Sequence, residues 1–442
     1  MKCIDAGEAS VNLGFTWYKR PDQSAMPRTM QTDWIVIAVF AAVYLGMALG
    51  RWPGLAVDRT GVAMIGAIVL LVSGAVDGET AVGSIDFPTL AILFTLMVLS
   101  GQYAASGLFD RIGAALGAGR RSPELMLAMV IAISGGLSAL LTNDVVVWAM
   151  TPLLVAGLKR RGLDPLPYVI AIACAANAGS AATIIGNPQN LLIGESGNLH
   201  FWRFAAVCAA PALLAMGSVY LVVVRSRAFR RVAADPKLPL AGDTPAPIDA
   251  WALSKAIIAT TAVLLIFTLT EERGTWSLAV AAVLLVSRRR TTRQRLGEVD
   301  WQLLLLFAGL FVVTGALGDS EMIRRWAAGL AASADLTATG ALAAVTLAGS
   351  NTIGNVPLVM LLLSVIPGWS AGDLHALALF STLCGNFLIV GSVANIIAVE
   401  RARDQGVSVS FMDYARIGMP VTLLSLGVAW LWMAFVFPII GI

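Results

Sequence analysis

The chain has 442 residues, of which 58% are hydrophobic and only 13% are charged, and its net charge at neutral pH is +3. Soluble globular domains carry about 25% charged residues, so this composition excludes a soluble protein and indicates a polytopic membrane protein. The basic residues form short clusters between apolar runs rather than one basic surface, which argues against nucleic acid as a partner.

Residues 1–33 form a polar N-terminal extension that lacks the continuous apolar core of a signal peptide. The four cysteines are Cys3, Cys174, Cys208 and Cys384. Their spacing matches no metal-binding pattern, and the last three lie in apolar runs or at their ends. We therefore interpret the cysteines as packing residues.

Ten apolar runs follow, and each is a candidate transmembrane helix, because a helix needs about 20 apolar residues to cross the bilayer core. Their bounds are 34–50, 54–76, 87–109, 167–193, 204–224, 251–269, 276–286, 301–317, 375–399 and 417–440. The run 276–286 is the shortest of them.

Two further apolar stretches are interrupted by polar residues and predict re-entrant hairpins. In the stretch 336–366 the interruption at 350–357 leaves arms of about 14 and 10 residues, which reach only about 21 and 15 Å at 1.5 Å per residue. The stretch 125–158 is interrupted at 141–145 and has longer arms, so its length also permits two full crossings. Irregular backbone at this depth is tolerated where it is buried in protein or lines a cavity.

Asp144, in the first of these interruptions, lies far from the ends of every apolar segment. An ionised carboxylate at the bilayer centre costs about 3 kcal/mol on insertion scales, so it needs a partner or a water-filled cavity. Asp144 is therefore a candidate functional residue. A structural, hydrogen-bonded role is the alternative.

The basic clusters orient the chain by the positive-inside rule. We place on the cytoplasmic side the clusters 111–121, 159–161, 225–231, 288–295 and 401–403. Both ends of the first hairpin then face the cytoplasm, and both ends of the second hairpin face outward.

Motifs recur at a nearly constant offset of about half the chain. Three pairs mark this recurrence: Asp86 with Asp300, Asn143 with Asn355, and Asn190 with Asn395. Internal repetition of this kind indicates duplication. The alternative pairing of Asn143 with Asn351 gives a similar offset and is left open.

We predict two repeats, 34–224 and 251–442, joined by a proline-containing cytoplasmic linker at 225–250. Each repeat has five crossings and one hairpin, and an odd number of crossings inverts the second repeat relative to the first. Inverted repeats with broken helices are typical of secondary transporters, whose substrate lies near the midplane. The predicted fold class is thus an all-α polytopic membrane protein with two inverted repeats, about ten transmembrane helices, two re-entrant hairpins and two broken helices.

The broken helices are predicted in the runs 167–193 and 375–399. The first contains Gly186-Asn187-Pro188-Gln189-Asn190, where the proline removes a backbone donor and clashes with the preceding turn. The second contains Gly391, Ser392 and Asn395 at matching positions. Gly179 and Ser180 in the first run have a simpler interpretation, since small residues permit close helix packing.

A break in a membrane helix exposes carbonyls at one cut end and N–H groups at the other. Carbonyl and asparagine oxygens can coordinate a small cation, and N–H groups at a helix N-terminus can hold an anion. No predicted span carries a deep basic residue, so we expect an anion to be bound by helix ends, amides and hydroxyls.

These motifs together resemble the ion transporter superfamily, which includes the citrate-transporter-like permeases, the divalent anion:sodium symporters and the arsenite efflux permeases. The motifs that carry the resemblance are Thr142-Asn143-Asp144, Gly186-Asn187-Pro188-Gln189-Asn190, Asn355-Val356-Pro357 and Gly391-Ser392-Val393-Ala394-Asn395. The resemblance covers nearly the whole chain from residue 34 onward. It implies a scaffold and a transport domain, with the hairpin tips and broken helices forming the substrate and ion sites.

In the sodium-coupled branch of this superfamily, Ser-Asn-Thr motifs at both tips help to bind sodium and carboxylate. Here Ser350-Asn351-Thr352 matches that motif, whereas the first tip reads Thr142-Asn143-Asp144 and is more like the arsenite permeases. Proton antiport is the expectation for those permeases, which suits Asp144 as a proton carrier. The predicted substrate and ion site comprises Thr142, Asn143, Asp144, Gly186, Asn187, Asn190, Ser350, Asn351, Thr352, Asn355, Gly391, Ser392 and Asn395. Asp144 is the candidate for proton coupling, and Asn143, Asn190, Asn355 and Asn395 are the candidate ligands if the coupling ion is sodium.

The sequence thus predicts a cation-coupled secondary transporter in the cytoplasmic (inner) membrane that works by alternating access. Its substrate is a small anion, either dicarboxylate or citrate-like or an inorganic oxyanion such as arsenite. Its other partners are the lipid bilayer and a coupling proton or sodium ion, no cofactor is expected, and a homodimer is left open. No separate ATPase subunit is required, and no Gly-x-x-x-x-Gly-Lys-Ser/Thr motif is present.

Two alternatives to this function remain. One is a sodium/proton antiporter of the same fold. The other is a membrane-embedded enzyme, which needs a reactive constellation at depth, whereas the predicted spans offer one acid and no deep base. We do not predict an enzyme.

Overall fold

The computed structural model describes residues 30–50, 54–117, 121–234, 247–287, 290–325, 339–366 and 368–440. The regular structure within these ranges is helical, without strands. Residues 1–29 of the predicted extension, Cys3, and the linker prolines Pro236, Pro239 and Pro245 lie outside the described residues.

The first part of the chain contains α1 (Met30–Leu49), α2 (Arg59–Val72), α3 (Gly78–Ser84), α4 (Phe87–Ala105), α5 (Leu108–Gly117), α6 (Pro123–Leu140), α7 (Asn143–Arg160), α8 (Leu166–Ser180), α9 (Pro188–Ser196), α10 (Phe201–Arg225) and α11 (Arg227–Ala234). The second part contains α12 (Ala250–Leu269), α13 (Arg273–Leu285), α14 (Thr292–Leu296), α15 (Trp301–Gly318), α16 (Thr339–Ser350), α17 (Asn355–Val365), α18 (Ala371–Cys384), α19 (Val393–Asp404) and α20 (Phe411–Leu431). The first helix begins at Met30, so residues 30–33 belong to it rather than to the predicted extension.

Seven of the described helices are long and apolar enough to cross a membrane, which confirms the all-α polytopic class. They are α1, α4, α6, α10, α12, α15 and α20 with its continuation to Ile439. The helix α2 has 14 residues and is shorter than the predicted run 54–76, whereas α13 has 13 residues and is slightly longer than the predicted run 276–286. The start of α2 is set by Asp58, whose side chain accepts a hydrogen bond from the backbone nitrogen of Gly61 at 2.9 Å.

The two predicted hairpins differ in arm length. The arms of the second, α16 and α17, contain 12 and 11 residues, reach about 18 and 16 Å, and are too short to cross. The arms of the first, α6 and α7, contain 18 residues each, so length permits either a hairpin or two crossings. The tip of the second hairpin is held against α1, where the Tyr44 hydroxyl donates to the carbonyl of Pro357 at 2.8 Å.

An asparagine is the first residue of the second arm in both hairpins. The side-chain oxygen of Asn143 accepts from the backbone nitrogen of Asp144 at 3.0 Å, and that of Asn355 accepts from the nitrogen of Val356 at 3.0 Å. These equal contacts favour the pairing of Asn143 with Asn355 over its pairing with Asn351.

Both predicted helix breaks are present and have the same form. A short 3-10 turn, Ile184–Gly186, separates α8 from α9, and the turn Ile389–Gly391 separates α18 from α19. A Cβ on Gly186 would lie 2.2 Å from the carbonyl oxygen of Ser180, and one on Gly391 would lie 2.7 Å from that of Gly385. In each break the carbonyl belongs to the residue six positions earlier, so both glycines are needed for close backbone approach.

Helices from the first half of the chain pack against helices from the second half: α2 packs on α15, and α4 packs on α13. At the first contact the Thr60 hydroxyl donates to the carbonyl of Gln302 at 3.2 Å. The offset of Asp86 and Asp300 relates Thr60 to Gly274 and Gln302 to Pro88, and these two counterparts also meet. A Cβ on Gly274 would lie 2.7 Å from the Cα of Pro88. The sequence offset therefore recurs in the contacts, while the inverted orientation and the boundaries of the two repeats stay predictions.

Candidate functional site: a central cavity

The tips of both hairpins and the breaks of both helices line one cavity. Its walls are Met47, Arg59, Asn143, Asp144, Pro188, Gln189, Leu303, Leu306, Phe307, Ile353, Gly354, Asn355, Val356, Pro357, Val390, Ser392 and Val393. The volume open to the centres of water-sized molecules is about 30 Å³, which is room for a few waters. The cavity is therefore small in this conformation.

Four helices that belong to the hairpins or the broken helices begin at this cavity. Asn143 is the first residue of α7, Pro188 of α9, Asn355 of α17 and Val393 of α19, and all four line the wall. A helix N-terminus carries a partial positive charge and unpaired N–H groups, so it favours a nearby anion. The wall is thus electropositive in its backbone groups alone.

Two charged side chains of opposite sign, Arg59 and Asp144, line the same cavity, and both are half-buried. Arg59 is the first residue of α2, and its Nε donates to the carbonyl of Met47 at 3.2 Å. A guanidinium has five N–H donors, so this single bond leaves donors for an anion. Among the described residues, no hydrogen bond or ion pair to the Asp144 carboxylate is found.

The expectation that no basic side chain would reach the site is wrong, because Arg59 does so. In the sequence Arg59 lies near one end of an apolar run, where it reads as a topology marker. One pattern in the sequence could have identified Arg59. A second arginine, Arg273, occupies the matching position in the second half of the chain, at the offset that relates Asp86 to Asp300.

Of the predicted site residues, Asn143, Asp144, Asn355 and Ser392 line the cavity. The other predicted site residues do not line it: Thr142, Asn187 and Asn190 are buried, whereas Thr352 is exposed. Pro188 and Gln189 lie on the wall although they were not predicted as site residues.

Asn190 and Asn395 hold the two helix breaks in the same way. The side-chain nitrogen of Asn190 donates to the carbonyls of Ser180 and Thr183, at 3.3 and 3.1 Å. That of Asn395 donates to the carbonyls of Gly385 and Leu388, at 2.7 and 3.1 Å. Both asparagines thus satisfy carbonyls that the break leaves without helical partners.

Asn177, which was not among the predicted site residues, lies at the centre of a buried polar network. Its side-chain oxygen accepts from Asn143 Nδ2 at 2.7 Å and from the Ser392 hydroxyl at 3.1 Å. Its nitrogen donates to the side-chain oxygens of Asn386 and Asn395, at 2.8 and 3.0 Å. One residue therefore connects the first hairpin tip to the second broken helix.

Thr382 follows Asn177 at the same offset at which Asn395 follows Asn190, and it makes the corresponding contacts with the first break. Its hydroxyl donates to Asn190 Oδ1 at 3.1 Å and accepts from Asn187 Nδ2 and Gln189 Nε2, each at 3.2 Å. Asn187 also caps α9, since its side-chain oxygen accepts from the backbone nitrogen of Asn190 at 2.8 Å. Each broken helix therefore supplies a residue, Asn177 or Thr382, that hydrogen-bonds to the break of the other.

The Ser350-Asn351-Thr352 motif does not line the cavity. The side-chain nitrogen of Asn351 donates to the carbonyls of Leu347 and Cys384, at 2.9 and 3.0 Å, and its oxygen accepts from the backbone nitrogen of Leu388 at 3.1 Å. The Ser350 and Thr352 hydroxyls also donate to backbone carbonyls. In this conformation the motif holds the second tip against the second break.

The side-chain oxygens of the four asparagines predicted to bind sodium each accept a hydrogen bond from protein. The donors are the backbone nitrogens of Asp144 and Val356 for Asn143 and Asn355, Thr382 for Asn190, and Asn177 for Asn395. An amide oxygen has a second lone pair, so sodium at these residues stays a prediction. No group of three or more histidine, cysteine or acidic residues suited to a metal occurs in the described part of the chain.

We expect Asn177→Leu to lower the free energy of unfolding by about 2 kcal/mol, because it leaves four buried partners unpaired and each such bond in a membrane protein contributes about 0.6 kcal/mol. The measurement is the melting temperature of the purified protein in detergent. The control is Thr95→Val, since Thr95 is also fully buried but its hydroxyl bonds, within the described part of the chain, only to the carbonyl of Ala91 in its own helix, at 2.8 Å. Equal melting temperatures for the two variants would contradict a stabilising network.

Described elements that are all helical, with hairpin tips and broken helices around a cavity that contains charged and amide side chains, define a multi-pass membrane transport protein. A family model described as "Citrate transporter" matches residues 34–383 of the chain. The chain belongs to this citrate transporter family, which confirms the resemblance drawn from its motifs.

Relatives of similar length cover most of the chain. The "46 kDa membrane protein" of Mycobacterium leprae is 28% identical over 91% of this chain and 98% of its own length. The "Silicon efflux transporter LSI3" of Oryza sativa subsp. japonica is 26% identical over 88% of this chain and 93% of its own. The "Putative transporter arsB" of Dictyostelium discoideum is 23% identical over 84% and 86%.

Two solved structures share the fold. The Alcanivorax borkumensis YdaH transporter superposes with a TM-score of 0.52 at 15% identity, over 94% of this chain and 99% of that chain. The Neisseria gonorrhoeae MtrF structure superposes with a TM-score of 0.51 at 11% identity, over 94% and 96%. At this identity the likeness is one of fold.

Proposed function

We propose that the chain is a proton-coupled secondary transporter that carries a small anion or oxyacid across the membrane by alternating access. One observation carries the proposal: four helix N-termini, the guanidinium of Arg59 and the carboxylate of Asp144 meet at a single cavity. The first two features favour an anion, and the third can gain or lose a proton next to it.

The anion would contact Arg59 and the N–H groups at the starts of α7, α9, α17 and α19. A guanidinium presents a planar fork of donors that matches a carboxylate or an oxyanion. Ser392 and Gln189 add a hydroxyl and an amide to the wall. The Ser392 hydroxyl already donates to Asn177, so it offers an acceptor to a protonated oxygen of an oxyacid, and Gln189 keeps one N–H donor and its carbonyl oxygen.

Asp144 would carry the coupling proton. It faces the cavity beside the first hairpin tip, where an ionised carboxylate is costly unless water or a cation accompanies it. When the cavity closes to water, a protonated Asp144 is the cheaper form, so closure and proton binding favour one another. Sodium is the alternative coupling ion, because the amide oxygens of Asn143 and Asn355 keep a second lone pair.

The small volume favours a small inorganic oxyacid over citrate as the substrate. The relatives point the same way, since one is a silicon efflux transporter and another a putative transporter named arsB. The family name points to citrate instead, so both classes belong in the test.

The test is a counterflow screen in proteoliposomes with arsenite, silicic acid, sulfate, succinate and citrate. An imposed pH gradient should drive net movement of at least one of them, and an imposed sodium gradient alone should not. Sodium-driven proton flux without any anion would instead establish a sodium/proton antiporter. No movement of any substrate under either gradient would overturn the proposal.

We expect Arg59→Gln to raise the KM for the transported anion about 10- to 100-fold, because a hydrogen bond to a charged group contributes about 1.5–3 kcal/mol. Arg59→Lys should recover part of the loss, since it keeps the charge without the planar fork. The matched control is Arg416→Gln, an exposed arginine of α20 that does not line the cavity. An unchanged KM in Arg59→Gln would remove Arg59 from the site.

A further inference from the structure

A buried ion pair ties the first broken helix to α13. Arg273, the first residue of α13, places Nη1 3.1 Å from Oε1 of Glu195, which lies in the last turn of α9. Its Nη2 donates to the carbonyl of Leu199 at 3.0 Å, and both charged side chains are largely buried. Arg273 also stacks over the ring of Phe267, 5.4 Å from its centre. Because a buried charge without its partner is costly, this contact holds the two helices together.

The repeat offsets assign a counterpart to each member of this pair. Arg59 precedes Arg273 at the same offset at which Asp86 precedes Asp300, and each arginine is the first residue of its helix. Glu400 follows Glu195 at the same offset at which Asn395 follows Asn190. The counterpart of the Arg273–Glu195 pair is therefore Arg59–Glu400.

The counterpart pair is open in this structure. Arg59 faces the central cavity and bonds to the carbonyl of Met47. Glu400 is exposed and lines a separate cleft of about 410 Å³ between α7 and α19, together with Trp148 and Ile397. Among the described residues, neither Arg59 nor Glu400 forms an ion pair. Two equivalent contacts are thus in opposite states in one molecule.

We infer that the two pairs form in alternation during transport, so that Arg273–Glu195 closes the cavity on one side and Arg59–Glu400 closes it on the other. The inference rests on the alternating access proposed above. When the domain that holds the broken helices moves relative to the rest of a protein built from two repeats, contacts that the repeat makes equivalent open and close in turn. Glu195, Glu400, Arg59 and Arg273 act as positioning residues in this step.

The orientation predicted from the basic clusters assigns each of the two ion pairs to one side of the membrane. It places Arg273 and Glu195 on the outer side of the membrane and Arg59 and Glu400 on the cytoplasmic side. In the conformation seen here the outer ion pair is then formed and the cytoplasmic ion pair is open. In the other conformation, Glu400 pairs with the guanidinium of Arg59, which is otherwise available to bind the anion.

Cross-linking in the full-length chain tests this exchange. In a version whose four cysteines are replaced by serine or alanine, Arg273→Cys with Glu195→Cys should cross-link readily with a short thiol-reactive linker. Arg59→Cys with Glu400→Cys should cross-link slowly. Adding Glu195→Gln to the second pair should raise its cross-linking rate about three- to tenfold, because loss of the outer ion pair shifts the population toward the outward-open form.

The matched control is Glu298→Gln, which removes the charge from another ion pair, Arg290–Glu298 at 2.7 Å, that has no part in the exchange. Equal cross-linking in the Glu195→Gln and Glu298→Gln backgrounds, or none at 59 and 400 in either, would overturn the inference. Glu195→Gln keeps an acceptor for Arg273, so a folding defect is not expected from it.

Anion transport by the cysteine-free parent separates this inference from the proposed function. If the parent transports an anion and the cross-link does not respond, alternation of the ion pairs is wrong and the transporter function stands. If the cross-link responds as expected and the parent moves no anion of the panel, the alternation stands and the substrate proposal is wrong.

Discussion

Proton-driven accumulation of the anion is expected to disappear in the Asp144→Asn variant, while the protein remains folded. Asparagine has nearly the same shape as aspartate but cannot exchange a proton. Asp144 is half-buried on the cavity wall, and its carboxylate has no hydrogen-bond partner among the described residues, so the change breaks no contact. One coupled proton raises the accumulation ratio about tenfold for each unit of pH gradient, and the variant should lose that factor.

The measurement compares accumulation in proteoliposomes with and without a gradient of one pH unit, together with exchange of the anion at equal pH. Exchange should persist in Asp144→Asn, because it needs no net proton movement. Asp110→Asn is the control, since Asp110 lies exposed on α5 and does not line the cavity. Coupling that survives in Asp144→Asn would exclude this residue as the proton carrier and leave the structural role considered for it.

The largest loss of stability is expected from Gly179→Ala. A Cβ on Gly179 of α8 would lie 2.1 Å from the carbonyl oxygen of Gly135 and 2.4 Å from its Cα, on α6. Those atoms belong to the backbone of a packed helix, so no side-chain rotation relieves the overlap, and α6 and α8 must separate. Overpacking in a well-packed core costs about 1–3 kcal/mol when side chains can adjust, and more is expected here.

The control for this change is Gly136→Ala. Gly136 lies on α6 and directly follows Gly135, the residue that Gly179 contacts. No heavy atom lies within 4 Å of a Cβ built on Gly136. Alanine is favoured over glycine in a helix by about 1 kcal/mol, so Gly136→Ala should be neutral or slightly stabilising. Expression level and melting temperature in detergent measure both variants. A Gly179→Ala protein as stable as Gly136→Ala would show that α6 and α8 do not pack as closely as this structure has them.

The close packing of Gly179 against α6 also distinguishes between two interpretations of the small residues in the first broken helix. Its small residues were open to a packing role or a site role, and Gly179 serves packing alone. Gly186 has a backbone role as well, since its missing side chain admits the carbonyl of Ser180. The part of the first broken helix that lines the cavity is instead the pair of residues that follow the break, Pro188 and Gln189.

The predicted site residues fall into two groups, and local sequence predicted the position of one group better than that of the other. Asn143, Asp144 and Asn355 were predicted to face the cavity because polar residues at bilayer depth need one, and they do. Asn190 and Asn395 satisfy the same requirement in another way, by binding the free carbonyls of their own breaks. Sequence shows that a buried amide must have partners, but it does not show whether those partners are protein or substrate.

The sequence by itself determined the membrane class, the broken helices, the short second hairpin and the internal offsets, because each follows from composition or from residue patterns that are visible along the chain. Tertiary structure alone decided that Arg59 reaches the cavity, that Asn177 joins two distant elements, and that Ser350, Asn351 and Thr352 turn away. The physical reason is that hydropathy and backbone preferences act over a few residues. Which side of a helix faces a cavity depends on packing between segments that lie far apart in the chain.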